Sequence, residues 1–302
     1  MSKVLAGVLP VLATPFDENG ICDTGALASE VDWVIDHGAH GVVLGMVSEV
    51  LRLSSEERDA LTKATCQVVD GRVSVTASVG AESGHTASRY AKNAESVGAD
   101  ALMAIPPMAT SCDDSELFSY YSGIIEAVDL PVIVQDASGY FGRPLSIELQ
   151  AKLCAAYGDR AMFKPEAPPI GPRLSQLLEV TDGSARVFEG TGGLALVDMY
   201  KRGIAGTMPG PDVVWAVVAL WHALEADDDD KICRIQGPLS ALESMLTSID
   251  TFVAVQKHLL HRQHVIPSTF VRGPVGYRLD ADTVREVDRI FDWLLQAVNI
   301  QV

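Results

Sequence analysis

The sequence predicts an α/β protein, a TIM (β/α)8 barrel with a C-terminal helical extension. Short apolar runs alternate with amphipathic stretches over the first two-thirds of the chain, at a period of roughly 20 to 35 residues, the length of one strand–helix unit. About eight such units fit before residue 210, the number that closes this barrel. The last third has no convincing strand pattern. We therefore expect a barrel over residues 1–210 and helices over residues 211–302 packed on it.

The predicted strands are short runs rich in Val, Ile, Leu and Ala. Near-continuous apolar runs such as GVVL at 41–44 are typical of parallel strands covered by helices. An open doubly wound sheet is the alternative, and the absence of a GxGxxG-type turn after the first strand disfavours it. The predicted strands cover residues 7–13, 41–44, 73–79, 101–105, 132–135, 161–164, 186–189 and 204–208.

The predicted helices are stretches in which apolar residues recur at helical spacing. Between the strands they cover residues 24–37, 55–69, 86–97, 115–127 and 147–157, among others. In the last third, three helices are predicted over residues 213–225, 231–261 and 282–298.

Composition excludes several classes of partner. The formal net charge of −17 argues against a nucleic acid, whose phosphates require clustered Lys and Arg. No apolar run approaches the roughly 20 residues that span a bilayer, so no membrane partner is expected. The 5 cysteines are scattered without metal-ligand spacing and indicate reduced thiols. We expect a cytoplasmic protein.

Lys164 is the principal catalytic candidate. It closes the apolar run 161–163 at the end of the sixth predicted strand, and the reactive groups of such a barrel lie where the strands end. A lysine amine in an apolar pocket is pushed toward its neutral form, which attacks a ketone to form a Schiff base. The alternative is a lysine whose stem packs at the strand end while its head reaches water.

Glu166 and Gln135 are the other catalytic candidates. Glu166 lies two residues past Lys164 and faces the same way if the strand continues, so it either transfers protons or forms an ion pair with the lysine. Gln135 and Asp136 end the neighbouring fifth strand. Gln135 is predicted to hydrogen-bond a substrate hydroxyl, with a satisfied polar group inside the barrel as the alternative, and Asp136 is placed among the substrate-binding residues.

The other substrate-binding candidates lie on loops. Gly45, Met46, Val47 and Ser48 offer backbone N–H groups and a hydroxyl near the start of the second helix, where the helix dipole favours a substrate carboxylate. A helix N-cap is the alternative role for Ser48. The loop GTGG at 190–193 contributes Gly190 and Thr191, which are predicted to receive a hydroxylated tail or a carboxylate; the alternative is an ordinary tight turn. Met208, at the end of the eighth strand, completes the set.

No metal or organic cofactor is expected, because an imine to lysine already provides the electron sink. His258, His261 and His264 recur at a spacing of three near a predicted helix end. No carboxylate or cysteine completes a metal-ligand set with them, so a solvated helix face is the interpretation.

Several motifs, in this order, resemble the dihydrodipicolinate synthase/N-acetylneuraminate lyase family. The resemblance implies a class I aldolase or dehydratase that acts on a 2-oxo acid through a lysine Schiff base. It also implies a homo-oligomer, a dimer of dimers. The motifs are Gly7-Val8 through Thr14-Pro15-Phe16, Gly45 and Glu49 at the ends of a GTTGE-type loop, LSSEER at 53–58, GADAL at 98–102 with Pro106-Pro107, LPVI at 130–133 and Phe163-Lys164.

The departures from the family pattern narrow the range of activities that the resemblance implies. Met46 and Val47 replace the two hydroxyl residues of the GTTGE-type loop, and Ser48 stands where the family has Gly. Gln135 replaces a tyrosine after strand five, Met108 and Ala109 replace tyrosines after strand four, and the synthase-type arginine falls near Tyr140. The Thr–Tyr–Tyr proton relay of typical members is therefore missing, which disfavours lysine-pathway synthase activity.

The remaining motifs resemble the branch that acts on 2-keto-3-deoxy sugar acids, notably the 2-keto-3-deoxyarabonate dehydratases. These motifs are QDA at 135–137, FKPE at 163–166 and TMPG at 207–210. The resemblance implies a lyase that dehydrates or cleaves such an acid. The alternatives are a 4-hydroxy-tetrahydrodipicolinate synthase using pyruvate and aspartate semialdehyde, a pyruvate-dependent aldolase, and a non-catalytic 2-oxo acid binding protein.

Overall fold

A computed structural model describes residues 5–140 and 142–299 of the chain. Eight parallel strands pair in the order β1-β8-β7-β6-β5-β4-β3-β2, and a parallel bridge between Val11 and Val43 joins the first and second strands, which closes the barrel. The strands are Gly7–Val8 (β1), Gly41–Val43 (β2), Ser74–Ser78 (β3), Ala101–Ala104 (β4), Val132–Gln135 (β5), Ala161–Lys164 (β6), Arg186–Glu189 (β7) and Gly206–Thr207 (β8).

Helices follow the strands and cover the outside of the barrel. Side-chain caps fix the start of several of them: Asp23, Ser54, Ser83, Asp113 and Ser146 each accept a hydrogen bond from a backbone N–H of the first turn. The helices are Thr24–Asp36 (α1), Ser55–Val69 (α2), Gly84–Ser96 (α3), Asp114–Ile125 (α4), Ile147–Tyr157 (α5), Ile170–Val180 (α6), Leu196–Arg202 (α7), Val214–Glu225 (α8), Asp229–Glu243 (α9), Ile249–Arg262 (α10) and Ala281–Val298 (α11).

The apolar core has an inner and an outer part. Inside the barrel, one cluster includes Leu9, Val43, Met103, Ile133 and Phe188, contributed by different strands. Larger clusters fill the space between the strands and the surrounding helices. The barrel prediction is therefore confirmed, and the packed interior leaves room for chemistry only at the end where the strands terminate.

The C-terminal third differs from the prediction in one respect. Residues 231–261 form two helices, α9 and α10, instead of one, because Ser248 starts a new helix by accepting a hydrogen bond from the backbone N–H of Thr251. Helix α8 shares an apolar cluster with Val8 of β1 and Val31 of α1, so it packs directly on the barrel. Where a domain boundary lies relative to residue 210 stays a prediction. In residues 5–140 and 142–299, no helix is both long and apolar enough to cross a membrane.

Candidate active site

The three predicted catalytic residues lie together at the carboxyl end of the barrel. The parallel register of β5 and β6 pairs Gln135 with Lys164. The Lys164 Nζ lies 2.5 Å from Glu166 Oε1, and Gln135 Nε2 donates to the same oxygen over 2.9 Å. All three side chains are buried, and Lys164 is only 5% exposed. The lysine therefore does not reach into water but meets a carboxylate inside the protein.

The Glu166 carboxyl is placed to exchange a proton with the lysine. Burial raises its pKa above the usual range, and the neighbouring Lys164 and the hydrogen bond from Gln135 counter this only in part. Its second oxygen, Oε2, is buried without a hydrogen-bond partner in the part of the chain that the structure describes. A carboxyl with a raised pKa and a free oxygen is suited to act as acid and as base.

A small cavity of about 30 Å³ lies over Lys164. Gly190 makes room for the lysine, since a Cβ at this position would lie 3.0 Å from Lys164 Nζ. Five of the eight predicted substrate-binding residues line this cavity: Gly45, Met46, Val47, Gly190 and Met208.

The other three predicted substrate-binding residues use their polar atoms within the protein. Ser48 is fully buried, donates to the backbone oxygen of Leu12 over 2.5 Å and accepts from the backbone N–H of Gly45, so it closes its own loop and caps no α-helix. The Asp136 carboxylate accepts from the backbone N–H groups of Ser138 and Leu145. The Thr191 hydroxyl donates to Glu189. A substrate contact by these three side chains stays a prediction.

Tyr140 is a cavity residue that the sequence patterns did not identify as one. Together with Met46 it lines both the small cavity and a neighbouring outer cavity of about 530 Å³, which also borders Arg52, Ser248 and Asp250. Burial, and then the nearby Glu166, raise the pKa of the Tyr140 phenol. Its alignment near the synthase-type arginine was the only signal in the sequence. Since 30 Å³ holds about one water, a 2-oxo acid fits only if residues that line the cavity move.

A second buried lysine–glutamate pair lies beside the outer cavity. Lys257 Nζ of α10 is 2.5 Å from Glu49 Oε1 and 2.7 Å from the backbone oxygen of Phe270. Glu49 has a left-handed backbone conformation, with φ 55°, and its Oε2 accepts from the backbone N–H of Arg272 and from the Arg52 side chain. Glu49 thus ties the loop after β2 to the C-terminal helices.

Within the described part of the chain, no group of three or more His, Cys, Asp or Glu side chains is arranged to hold a metal ion. His258, one of the three spaced histidines, contacts the Asp288 carboxylate with its Nε2, and His261 Nδ1 contacts the backbone oxygen of Ile266. The arrangement at Lys164 offers an amine that can act as nucleophile and a carboxyl that can transfer protons, with the Gln135 amide bonded to the carboxyl. An amine and an acid–base group are suited to imine formation.

Comparison with known proteins identifies one family. The model of the Dihydrodipicolinate synthetase family matches residues 4–292. An L-2-keto-3-deoxyarabonate dehydratase of Azospirillum brasilense is 29% identical over 291 residues, which cover 93% of this chain and 92% of the relative. A 4-hydroxy-tetrahydrodipicolinate synthase of Bartonella quintana is 32% identical over 177 residues, 58% of this chain and 60% of the relative. The solved 4-hydroxy-tetrahydrodipicolinate synthase of Methylacidiphilum fumariolicum SolV has the same fold, with a TM-score of 0.90 at 21% identity over 98% of both chains.

Proposed function

The chain belongs to the Dihydrodipicolinate synthetase family and is an enzyme of the lyase class, and we propose that it dehydrates a 2-keto-3-deoxy sugar acid through a Schiff base to Lys164. The observation that carries this proposal is the 2.5 Å contact between Lys164 Nζ and Glu166 Oε1 at the buried end of the barrel. The relative named as a 2-keto-3-deoxyarabonate dehydratase, which matches over nearly its whole length, supports the choice of substrate class.

In the first step, the ammonium proton of Lys164 passes to Glu166 and frees the amine lone pair. The amine adds to the C2 ketone of the substrate, and the proton held by Glu166 leaves with the C2 oxygen as water. The product is a protonated imine beside an ionised Glu166. The raised pKa of Glu166 supports both transfers, because it brings the proton affinity of the carboxyl closer to that of an amine.

In the second step, the imine withdraws electrons from C3 and acidifies its protons. Glu166 takes one of them, and the C4 hydroxyl leaves as water with that proton, so Glu166 is ionised again. Hydrolysis of the imine returns the Lys164 amine. Gln135 donates to Glu166 Oε1 and so fixes the carboxyl in position. This assignment gives Glu166 the proton transfers that the missing tyrosines perform in typical members.

The substrate carboxylate is assigned to the loop that begins at Gly45. Met46 and Val47 line the cavity and carry no side-chain hydroxyl, so the loop offers backbone N–H groups at this point. The hydroxylated end of the substrate is assigned to the opposite wall at Gly190. Both assignments extend the sequence-based prediction for these residues.

Reductive trapping tests the proposal. The protein is incubated with pyruvate or with a 2-keto-3-deoxypentonate, reduced with borohydride, and analysed by intact mass and peptide mapping. We expect one adduct per chain, on Lys164, which Lys164→Ala removes and which Lys201→Ala, at an exposed lysine, leaves intact. Product analysis then separates water loss from carbon–carbon cleavage.

The alternatives predict other results in the same experiment. A folded protein that shows a ligand-induced rise in melting temperature without any adduct is a non-catalytic 2-oxo acid binding protein. Appreciable product from pyruvate and aspartate semialdehyde indicates a 4-hydroxy-tetrahydrodipicolinate synthase, the name carried by the relative from Bartonella quintana.

The assembly and the location of the protein belong to the same proposal. We expect a homo-oligomer, a dimer of dimers, and the exposed apolar side chains Leu51 and Met108 offer surface for such contacts. Light scattering at micromolar protein contradicts this if it returns the mass of one chain. We expect a cytoplasmic location, which cell fractionation tests.

A further inference from the structure

Three carboxyl side chains and one amide form a buried polar cluster beside the Lys164 cavity. Its members are Glu189 at the end of β7, Asp212 after β8, Glu243 of α9 and Gln256 of α10, and each is at most 6% exposed. None of the four forms an ion pair with a cationic side chain of residues 5–140 and 142–299. Burying a carboxyl group without a cationic partner costs free energy, so the burial of these three carboxyl groups needs a chemical explanation.

Two members of the cluster have free hydrogen-bonding atoms. Glu189 is saturated, since it accepts from the backbone N–H groups of Thr191 and Gly193 and from the Thr207 hydroxyl. In contrast, Glu243 Oε2 and both polar atoms of Gln256 have no partner among the described residues. Buried polar groups in folded proteins are normally paired, so an unpaired one needs an explanation, such as an ordered water or a bound molecule that completes the pairing.

The cluster lies directly behind the cavity wall. A Cβ built on Gly192 would lie 2.1 Å from Glu243 Oε2, and one built on Gly210 would lie 2.4 Å from Asp212 Oδ1 and 3.9 Å from Gln256 Oε1. Both glycines line the cavity over Lys164, as does Phe252, one helical turn before Gln256 on α10. The four cluster residues do not themselves line the cavity, but Gly192 and Gly210 do, and these glycines have no side chain on the side that faces Glu243 and Asp212.

The protonation state of the cluster matches an uncharged, hydroxylated ligand. Burial raises the pKa of Asp212 to about 7, and burial together with the charges of Asp212 and Glu189 raises the pKa of Glu243 well above its usual range. A protonated Glu243 can donate one hydrogen bond and accept others, and so can the amide of Gln256. A hydroxyl group needs both a donor and an acceptor, whereas an anion or a cation needs only one of them.

We propose that Glu243 and Gln256, from helices outside the eight strand–helix units, bind the hydroxyl groups of the substrate tail and select hydroxylated 2-oxo acids over plain ones. The inference rests on the proposed Schiff-base function of Lys164. The path is short: Gly190 adjoins the Lys164 amine, Gly192 follows two residues later, and Glu243 lies behind Gly192. A substrate held at Lys164 by its C2 carbon thus extends its tail toward the cluster.

The test compares an acid that bears tail hydroxyls with one that lacks them. Rates of borohydride trapping on Lys164 are measured at subsaturating 2-keto-3-deoxypentonate and at subsaturating 2-oxopentanoate, and their ratio is taken for each variant. Gln256→Met and Glu243→Met replace a polar side chain by an apolar one of similar length. We expect each to lower the ratio roughly tenfold, since each removes hydrogen bonds that only the hydroxylated acid makes.

Two further variants separate recognition from a structural role. Glu243→Gln keeps a neutral donor and acceptor, so it should retain most of the preference that Glu243→Met loses. Gln150→Met serves as a control, because Gln150 is equally buried but its amide already bonds to the backbone oxygens of Leu145 and Ser146. It should keep the wild-type ratio.

The outcomes distinguish this inference from the proposed function. A wild-type ratio in both Gln256→Met and Glu243→Met, with adducts still formed on Lys164, overturns the inference and leaves the Schiff-base function standing. An equal loss with both acids assigns the cluster to folding and also overturns the inference. A wild-type protein that forms no adduct with either acid removes the proposed function and the inference together.

Discussion

Residues 5–140 and 142–299 contain two buried lysine–glutamate pairs with the same contact distance and different surroundings. Lys164 Nζ lies 2.5 Å from Glu166 Oε1, and Lys257 Nζ lies 2.5 Å from Glu49 Oε1. In the second pair, both side chains have further hydrogen-bond partners. Lys257 Nζ also donates to the backbone oxygen of Phe270, and Glu49 Oε2 accepts from the backbone N–H of Arg272. The first pair retains a free carboxyl oxygen and borders a cavity.

The comparison shows that a buried ion pair does not by itself indicate chemistry. Lys257 is 1% exposed and lies over the Phe16 ring, at 4.5 Å from its centroid, so no substrate can approach its amine. Lys164 is nearly as buried, but its side chain packs against Gly190 and lines a small cavity. What distinguishes the proposed nucleophile from the structural lysine is the carboxyl oxygen without a partner and the cavity beside the pair.

The largest effect is expected from Lys164→Met. This substitution removes the nucleophile, so imine trapping should vanish and turnover should fall at least about a thousandfold. Burial raises the pKa of Glu166, so without its lysine partner this carboxyl can take up a proton and avoid a buried unpaired charge. The loss of stability should therefore be smaller than for Lys257→Met. Mass spectrometry and urea unfolding measure the two effects, and an adduct on another lysine would refute the assignment of the nucleophile.

Glu166→Gln should slow both steps that are assigned to Glu166. The amide keeps the size of the side chain and can still bond to Lys164, but it cannot accept a proton from Lys164 or from C3. We expect turnover of a 2-keto-3-deoxypentonate to fall by about 10² to 10⁴, while borohydride still traps the imine at a reduced rate. Full turnover in this variant would show that Glu166 serves only as an ion-pair partner.

Lys257→Met should affect stability far more than chemistry. It leaves Glu49 buried without its lysine, which should lower the free energy of unfolding by about 3–5 kcal/mol. The double variant Lys257→Met with Glu49→Met removes both charges and should recover part of the loss. Urea unfolding gives these values, and an additive loss in the double variant would mean that the two side chains are not coupled.

The smallest effect on activity is expected from Glu30, whose titration should set the pH dependence of stability near Lys257. Burial raises the pKa of Glu30 to about 8, and the hydrogen bond from Ala13 and the charge of Lys257 counter this only in part. The folded protein therefore binds one more proton than the unfolded chain, so its stability should fall as pH rises from about 4.5 to about 8, by up to about 1.4 kcal/mol per pH unit. Glu30→Gln should flatten this slope, as urea unfolding at several pH values will measure.

The sequence predicted the barrel well because each strand is encoded locally. The strands 132–135, 161–164 and 186–189 agree residue for residue with the structure. The first strand is shorter than the predicted 7–13, since Pro10 has no N–H to donate and only a single bridge at Val11 follows it. The helix break before Ser248 was missed because the apolar pattern continues across it.

The proximity of the three catalytic candidates was predictable for the same reason, and the rest of the cavity was not. Lys164, Glu166 and Gln135 lie at the ends of adjacent strands, so their proximity follows from the strand order. Glu243 and Gln256, on helices distant in sequence, lie behind Gly192 and Gly210 of the cavity wall, and no local pattern encodes that placement. The available signal was weak: each is a polar residue on an otherwise apolar helix stripe, such as Ile235, Leu239 and Leu242 before Glu243.

The glycine at 190 also gives a rule for sorting related barrels by sequence. A methyl group at this position would lie 2.9 to 3.0 Å from the Cε, Cγ and Nζ atoms of Lys164. A barrel of this family with a larger residue there must hold its lysine in another rotamer, with the amine displaced from the carboxyl that serves it here. The identity of this one residue, just after the neighbouring strand β7, therefore indicates where the lysine amine lies. The presence of the lysine alone does not give its position.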